Sequence, residues 1–148
     1  MIGSSVAEIV RGQNVISVHP ATSVRDAVAT LSRHGIGAIL VVEGGALLGI
    51  FAERDAVTRI IAEGRNPDAT RVDAVMSRNP RTVGSDCSVV KAVDIMVSGG
   101  YRHLPVVDQS GTIGVLSMRD VPLHYRVMYS NWLAMSLPRA TGAAVATS

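Results

Sequence analysis

Apolar and polar positions along this chain follow two different periods, which predict helices and strands in turn. The positions with the i, i+3, i+4, i+7 spacing of a helix that buries one face are Val24, Ala27, Val28 and Leu31. Ser23 is placed to cap this helix and Gly35 to end it. Two apolar runs, 38–42 and 47–51, are separated by a glycine-containing turn and predict a strand hairpin. The flanking sequence predicts a lead-in helix over 6–11, a first strand over 15–18 and a final helix over 53–62.

The same order of patterns occurs again 65 positions later. Residues 14–55 align with residues 79–120 without a gap, and 12 of these 42 positions are identical. Each copy predicts a β-α-β-β-α unit, an α/β (α+β) fold too small to be stable alone. We expect two tandem repeats, 5–65 and 66–137, related by a pseudo-twofold axis and packed sheet to sheet. The elements predicted for the second copy are a lead-in helix from Thr70 or Arg71 to Ser77, strands over 82–83, 104–107 and 113–116, and helices from Ser88 to Gly99 or Gly100 and from Ser117 onward.

Composition and charge narrow the class of protein. Apolar residues form 47% of the chain but aromatic residues only 3%, which predicts an aliphatic core. The net charge is +2, and no Lys/Arg cluster is interleaved with aromatic residues, which disfavours nucleic-acid binding. No apolar run reaches the length of a membrane span, and no signal pattern opens the chain. A single cysteine, Cys87, excludes an internal disulfide and indicates a cytoplasmic protein.

The stretch 114–120 is the main candidate for chemistry. Its apolar front half predicts a strand, and Ser117-x-x-Asp120 predicts the start of a helix. The unpaired N–H groups and the dipole of a helix start favour an anion such as phosphate. The Asp120 carboxylate is suited to accept two hydrogen bonds from a ribose diol. The alternative is that Ser117 and Asp120 only cap their own helix, but the recurrence of the pattern at 49–55 favours nucleotide binding.

The repeated motifs resemble those of a known family. The stretch Gly35-Ile36-Gly37-Ala38-Ile39-Leu40-Val41-Val42, the stretch 101–108, and the paired motifs at 49–55 and 114–120 are similar to those of CBS domains in tandem, the Bateman module. The resemblance covers roughly residues 5–128. It implies a regulatory, non-catalytic protein that binds AMP, ADP, ATP, NAD or S-adenosylmethionine between the repeats. It also implies pairing into homodimers.

The resemblance further implies roles for individual residues. By position, Ser117 would contact phosphate and Asp120 would hold the ribose. The first repeat keeps Asp55, but Ala52 replaces the hydroxyl residue, so its site would bind weakly, bind a different group or stay empty. The remaining candidate ligand-binding residues are Thr82, Val83, Ser17 and Val18 beside the base, Tyr101, Arg102 and His103 for stacking and phosphate contacts, and Arg54, Arg59 and Arg119 for phosphate.

Several open alternatives accompany this interpretation. Each of these arginines is equally well explained as a solvated or ion-paired side chain. The aromatic stripe Tyr125, Tyr129 and Trp132 either packs on the chain's own core or forms a dimer contact. Pro122 predicts a kink or a restart in the last helix. The second hypothesis for function is a ligand-independent homodimerisation or protein-interaction module.

Other chemistry is disfavoured by the spacing of the reactive residues. The four histidines have no metal-ligand spacing, and Cys87 is best explained as a buried structural thiol. The sequence places no nucleophile beside a general base, so it does not predict catalysis. We therefore expect no metal, no catalytic cofactor and no enzyme activity. The tail 138–148 is small and polar and predicts disorder.

Overall fold

The structure is a computed structural model that describes residues 4–136, with the side chains of Trp132 and Ser136 left out. The predicted tail and the third aromatic side chain of the stripe therefore lie outside the described residues. The elements of the first half are helix α1 (Val6–Val10), strand β1 (Ser17–Val18), helix α2 (Val24–His34), strands β2 (Ala38–Glu43) and β3 (Ala46–Ala52), and helix α3 (Glu53–Asp55), which continues as a π-helical segment over Ala56–Ile61.

The second half repeats this order and confirms two tandem α/β repeats. Its elements are a 3-10 turn (Val72–Ala74), strands β4 (Ser77–Arg78) and β5 (Val83–Gly84), helix α4 (Val89–Gly99), strands β6 (His103–Asp108) and β7 (Gly111–Ser117), a second 3-10 turn (Met118–Asp120) and helix α5 (Leu123–Ser136).

The strand register shows how closely the two halves match. Strand β2 is parallel to β1 and antiparallel to β3, and β6 is parallel to β5 and antiparallel to β7. Gly49 lies opposite Val41 in the first sheet, and Gly114 lies opposite Val106 in the second. Both hairpins also shift register directly after this pair. The duplication seen in the sequence therefore extends to the register and irregularities of the sheets.

The main helices begin and end as their sequences predict. The Ser23 hydroxyl accepts a hydrogen bond from the Asp26 N–H at 3.1 Å, and the Ser88 hydroxyl accepts one from the Lys91 N–H at 3.1 Å. Such caps satisfy N–H groups that lack a partner in the first turn. Both helices end at a glycine in the left-handed region, Gly35 or Gly100, which a residue with a side chain rarely adopts.

The prediction of a lead-in helix in the second half is wrong. Only the 3-10 turn over Val72–Ala74 forms, and Ser77–Arg78 instead pairs with β3 as a fourth strand. Glycine at position 49 permits this approach, because an added Cβ would lie 2.8 Å from the Ser77 carbonyl oxygen. The strand over Ser77–Arg78 thus covers the outer edge of β3, which the periodicity of a lead-in helix did not indicate.

The final helix differs from the prediction at its start. A 3-10 turn forms after Ser117, and helix α5 begins at Leu123, so the predicted restart at Pro122 is confirmed. Tyr125 and Tyr129 are both 8% exposed and pack with the core of the second half. For these two residues, the interpretation that the aromatic stripe packs on the chain's own core is confirmed.

Each half packs against the lead-in segment that precedes the other half. Val6 and Val10 of α1 are buried in the core of the second half, while Val72 and Val75 are buried in the core of the first. The chain after α1 therefore crosses from the second sheet to the first before strand β1. This crossing places residues 13–16 between the two halves.

Candidate functional site

A cleft of about 380 Å³ lies between the two halves beside the second copy of the repeated motif. This volume is within the usual range of small-molecule sites. The second half contributes His103, Val115, Ser117, Arg119 and Asp120, and the first half contributes residues 13–16 and 34–38. Four residues predicted from the sequence thus meet in a crevice shared by both copies: Ser117, Asp120, Arg119 and His103.

The turn after β7 determines how Ser117 and Asp120 are presented. Asp120 Oδ2 accepts a hydrogen bond from the Ser117 N–H at 3.3 Å. The Ser117 hydroxyl, in contrast, forms no capping bond to this turn within the described chain. An ionised carboxylate has about four acceptor sites, so the capping bond of Asp120 leaves it able to accept from a diol. Asp120 thus caps its own turn and keeps acceptor sites for further hydrogen bonds.

Arg119 links the two walls of the cleft. Its Nη2 atom donates a hydrogen bond to the Gly35 carbonyl oxygen at 3.4 Å. The side chain is exposed and brings a permanent positive charge to the rim. A guanidinium matches the geometry of phosphate with two parallel hydrogen bonds. Arg119 is therefore the cation best placed to meet an anion in this cleft.

His103 lies deeper, at the start of β6. Burial is the main cause that lowers the pKa of its imidazole, and the positive charge of Arg119 lowers the pKa further. Asp120 and Glu53 oppose this shift. Gly37 of the first half packs against the ring, since an added Cβ would lie 3.3 Å from His103 Nε2. The ring is thus half-buried and in contact with the opposite wall.

The N-terminal wall of the cleft was missed by sequence reasoning. The predicted base-lining positions were Ser17 and Val18 within β1, whereas the residues that line the cleft come just before them, over 13–16. The Gln13 side chain holds this segment through two hydrogen bonds to the backbone of Val115. The alignment of Asn14 with Asn79 was visible in the sequence, but nothing there showed the chain crossing between the halves. His34, Gly35 and Gly37 were also missed, although the repeat offers a signal for them, since Gly37 aligns with Arg102 of the predicted stretch 101–103.

Several predicted residues do not line this cleft. Val83 is 6% exposed and belongs to the core of the second half. The Tyr101 ring lies against Gly99, where an added Cβ would be 2.1 Å from the ring. Among the described residues, those predicted from the sequence but absent from the lining are Thr82, Val83, Tyr101, Arg102, Ser17, Val18, Arg54, Arg59 and Asp55.

The first copy of the motif is engaged in internal contacts. Asp55 Oδ2 accepts from the Ala52 N–H at 2.9 Å, and Asp55 Oδ1 pairs with Arg59 Nε at 3.7 Å. Arg59 Nη1 also donates to the carbonyl oxygens of Val75, at 2.9 Å, and Met76, at 3.1 Å. Arg59 therefore fastens the exchanged lead-in segment to the first half. The ion-paired alternative for this arginine is confirmed.

Residues 4–136 show neither a metal-ligand cluster nor a helix that could span a membrane. No three or more His, Cys, Asp and Glu side chains in this range are grouped so that they can hold a metal ion. In the same range, no helix has both the length and the apolar character needed to cross a membrane.

The fold defines a duplicated α/β module with a cleft of about 380 Å³ between its halves. The CBS domain family model matches this chain twice, at residues 6–62 and 72–121. The chain therefore belongs to the CBS domain family and contains a tandem pair. The resemblance inferred from the motifs is confirmed.

Relatives and solved structures agree with this assignment. The chain is 33% identical over 147 residues to the CBS domain-containing protein CBSCBSPB2 of Arabidopsis thaliana, covering 99% of this chain and 26% of that protein's length. A putative signal-transduction protein with CBS domains from Burkholderia ambifaria has a TM-score of 0.76 and 29% identity, over 93% of this chain and all of that one.

A third comparison shows the fold alone. PAE2072, a CBS domain protein from Pyrobaculum aerophilum solved in complex with AMP, has a TM-score of 0.75. It is 21% identical, and the match covers 86% of this chain and 99% of that one.

Proposed function

We propose that this protein is a regulatory, non-catalytic CBS pair that binds an adenine nucleotide in the cleft between its halves. The observation that supports this most is the meeting of Ser117, Arg119 and Asp120 with the backbone of the first half in one crevice. A hydroxyl, a cation and an acceptor carboxylate are the groups that a sugar phosphate requires. The AMP complex of the related PAE2072 agrees with this choice of ligand.

Each part of the nucleotide has a proposed place. The ribose diol donates to Asp120, and the phosphate accepts from Ser117 and Arg119. The base lies between the residues before β1 and those before β2, where Ile16 and Ile36 add apolar surface. The charge of the lining favours a nucleoside monophosphate over ADP or ATP, because Arg119 is the permanent cation among the described lining residues and Asp120 opposes further negative charge.

The signal follows from a shift in population. A ligand that touches both halves favours the arrangement in which both walls are in place, by no more than its difference in affinity for the two arrangements. We propose that a cytoplasmic partner protein recognises the surface that results, in keeping with the single cysteine of the chain.

A thermal-shift panel tests this function. AMP, ADP, ATP, NAD and S-adenosylmethionine are each added to the purified protein at millimolar concentration. A ligand at about 100 times its Kd adds about 2.7 kcal/mol to the free energy of unfolding, which raises Tm by several degrees at this chain length. AMP should give the largest shift. The proposed function is contradicted when none of the five compounds moves Tm.

The second candidate function is homodimerisation without a ligand. Each half ends in a helical segment with exposed apolar side chains: Val57 (56% exposed) and Ile61 (74%) in the first, Leu123 (65%) and Met128 (53%) in the second. Exposed apolar surface of this kind favours association with a second copy. Light scattering after size exclusion, with and without AMP, distinguishes the two functions. A dimer whose mass and Tm do not change with any of the nucleotides supports this candidate.

A further inference from the structure

The outer edges of the two sheets are covered in different ways. In the first half, strand Ser77–Arg78 pairs with Gly49 and Ile50 of β3. In the second half, one side chain covers the equivalent position of β7. Gln13 Nε2 donates to the Val115 carbonyl oxygen at 3.1 Å, and the Val115 N–H donates to Gln13 Oε1 at 2.9 Å. The side-chain amide thus pairs with the strand as a peptide group of a neighbouring strand would.

The segment that precedes Gln13 is held against the second half. The Val6 N–H donates to the Cys87 carbonyl oxygen at 2.8 Å, and the Ala7 N–H donates to the Ser85 carbonyl oxygen at 3.2 Å. Val10 packs against Gly114 of β7, which has no side chain. A Cβ added at Gly114 would lie 2.6 Å from Val10 Cβ. These bonds exist only while α1 is docked on the second half.

The position of Gln13 connects this docked helix with the cleft. Residues 14–16 follow directly and line the cleft, and Val115 lies two residues before Ser117 on the other wall. Two hydrogen bonds of one exposed side chain therefore join the two walls, in addition to the bond between Arg119 and Gly35.

We propose that Gln13 is a positioning residue that couples occupancy of the cleft to the docking of the N-terminal segment, residues 4–13. This inference rests on the proposed function and extends it to regulation. A nucleotide that contacts both residues 14–16 and the Ser117 turn binds only when the segment is docked. Undocking then requires loss of the ligand, so the segment opens less often when the cleft is occupied. Docking of the N-terminal segment therefore depends on whether the cleft holds a nucleotide.

Hydrogen exchange at the Val6 and Ala7 amides tests the coupling. Wild-type protein is measured without AMP and with AMP at about 100 times its Kd, a concentration fixed beforehand by calorimetry. Exchange of these two amides should slow by up to about 100-fold if undocking abolishes binding. In Gln13→Met, which keeps the side-chain length but removes both hydrogen bonds, the slowing should fall below about fivefold, and AMP affinity should drop.

Two further variants make the comparison specific. Gln13→Ala removes the same bonds with a shorter side chain and should behave as Gln13→Met does. Gln109→Ala is the matched control, because Gln109 lies in the hairpin turn of the same sheet, outside the cleft lining. It should retain the full AMP-dependent slowing.

The outcomes separate this inference from the proposed function. The coupling is wrong if AMP binds the wild type but leaves the exchange of Val6 and Ala7 unchanged. It is also wrong if Gln13→Met and the wild type show the same affinity and the same slowing. If calorimetry detects no AMP binding to the wild type, the choice of AMP fails, and the exchange is measured with the compound of the thermal-shift panel that binds most tightly. If none of the five compounds binds, the proposed function fails and the coupling fails with it.

Discussion

Arg119 Nη2 donates a hydrogen bond to the Gly35 carbonyl oxygen at 3.4 Å, between residues 84 positions apart in the chain. One partner belongs to the turn after the last strand of the second half, and the other ends helix α2 of the first. Both residues also line the cleft. The same guanidinium can thus bond to the opposite half and to an anion between the halves. A ligand in the cleft would therefore stabilise the contact between the two halves.

Replacement of this arginine should affect binding more than folding. Arg119→Ala should weaken AMP binding by about 10- to 100-fold, the cost of a lost charge-assisted hydrogen bond. The free energy of unfolding should change by less than about 1 kcal/mol, because the side chain is exposed. Calorimetric titration and urea unfolding measure the two effects. Arg54→Ala, the repeat-related control, should alter the Kd less than twofold; equal losses would refute a role specific to Arg119.

The two aspartates of the repeated motif should separate binding from stability. Asp120→Ala should weaken AMP binding at least about tenfold, since two ribose hydrogen bonds are lost, with little effect on folding. Asp55 is 14% exposed, pairs with Arg59 and accepts from the Ala52 N–H. Asp55→Ala should therefore lower the free energy of unfolding by about 1–2 kcal/mol and leave the Kd nearly unchanged.

Both variants require the same pair of measurements, calorimetric titration with AMP and urea unfolding. Equal loss of affinity in the two variants would contradict the asymmetry between the halves. Loss of affinity in Asp55→Ala alone would place the nucleotide at the first copy of the motif instead.

His103 should make stability and binding depend on pH in opposite directions. Burial and Arg119 lower the pKa of His103 in the folded protein, so the unfolded chain binds more protons as pH falls below 6.5. The contribution of His103 to stability is then lost between its unfolded and its folded pKa. A bound phosphate favours the imidazolium and raises the pKa of His103, so His103 should favour AMP binding as pH falls. The phosphate of AMP also gains a proton in this range, and this effect is the same in a variant that lacks His103.

The pH dependence is tested with His103→Gln. Urea unfolding and AMP titration at pH 7.5 and pH 5.5 should show that, relative to the variant, the wild type loses stability and gains AMP affinity as pH falls. His124→Gln, which leaves the cleft lining intact, is the control and should follow the wild type. Identical profiles for His103→Gln and the wild type would exclude this residue as the titrating group.

Close packing of helix α1 on the second sheet predicts a cost for one added methyl group. Gly114→Ala places a Cβ 2.6 Å from Val10 Cβ, and overpacking of this kind costs about 1–3 kcal/mol. Gly84→Ala is the matched control, because its nearest contact is the end of the Asp86 side chain at 3.0 Å, which can rotate away. Urea unfolding compares the variants. Equal stability would show that α1 does not pack as described.

Much of the fold could be predicted from the sequence because its signals are local. The caps at Ser23 and Ser88 and the left-handed glycines at the helix ends depend on neighbouring residues only. The apolar run over 38–42 gave β2 to within one residue. Because the two halves align, the same elements could be predicted for the second half, where the local signals are weaker.

The exchange of lead-in segments could not be predicted, since it depends on contacts between residues far apart in the chain. Gly49 and Gly114 resemble ordinary strand glycines in the sequence, yet each admits the lead-in segment that precedes the other half. The same limit explains the site. Ser117, Arg119, Asp120 and His103 belong to a recognisable motif, whereas Gln13 and the residues after it reach the cleft only through the crossing of the chain.

We propose above that an adenine nucleotide binds between the halves at the second copy of the motif. Two-dimensional NMR of the amide groups during titration with AMP locates the nucleotide residue by residue. Saturable shifts are expected to be largest at Gly35, Gly37, Ser117 and Asp120, with small shifts around Asp55. Shifts centred on Asp55, or none at millimolar AMP, would contradict this proposal.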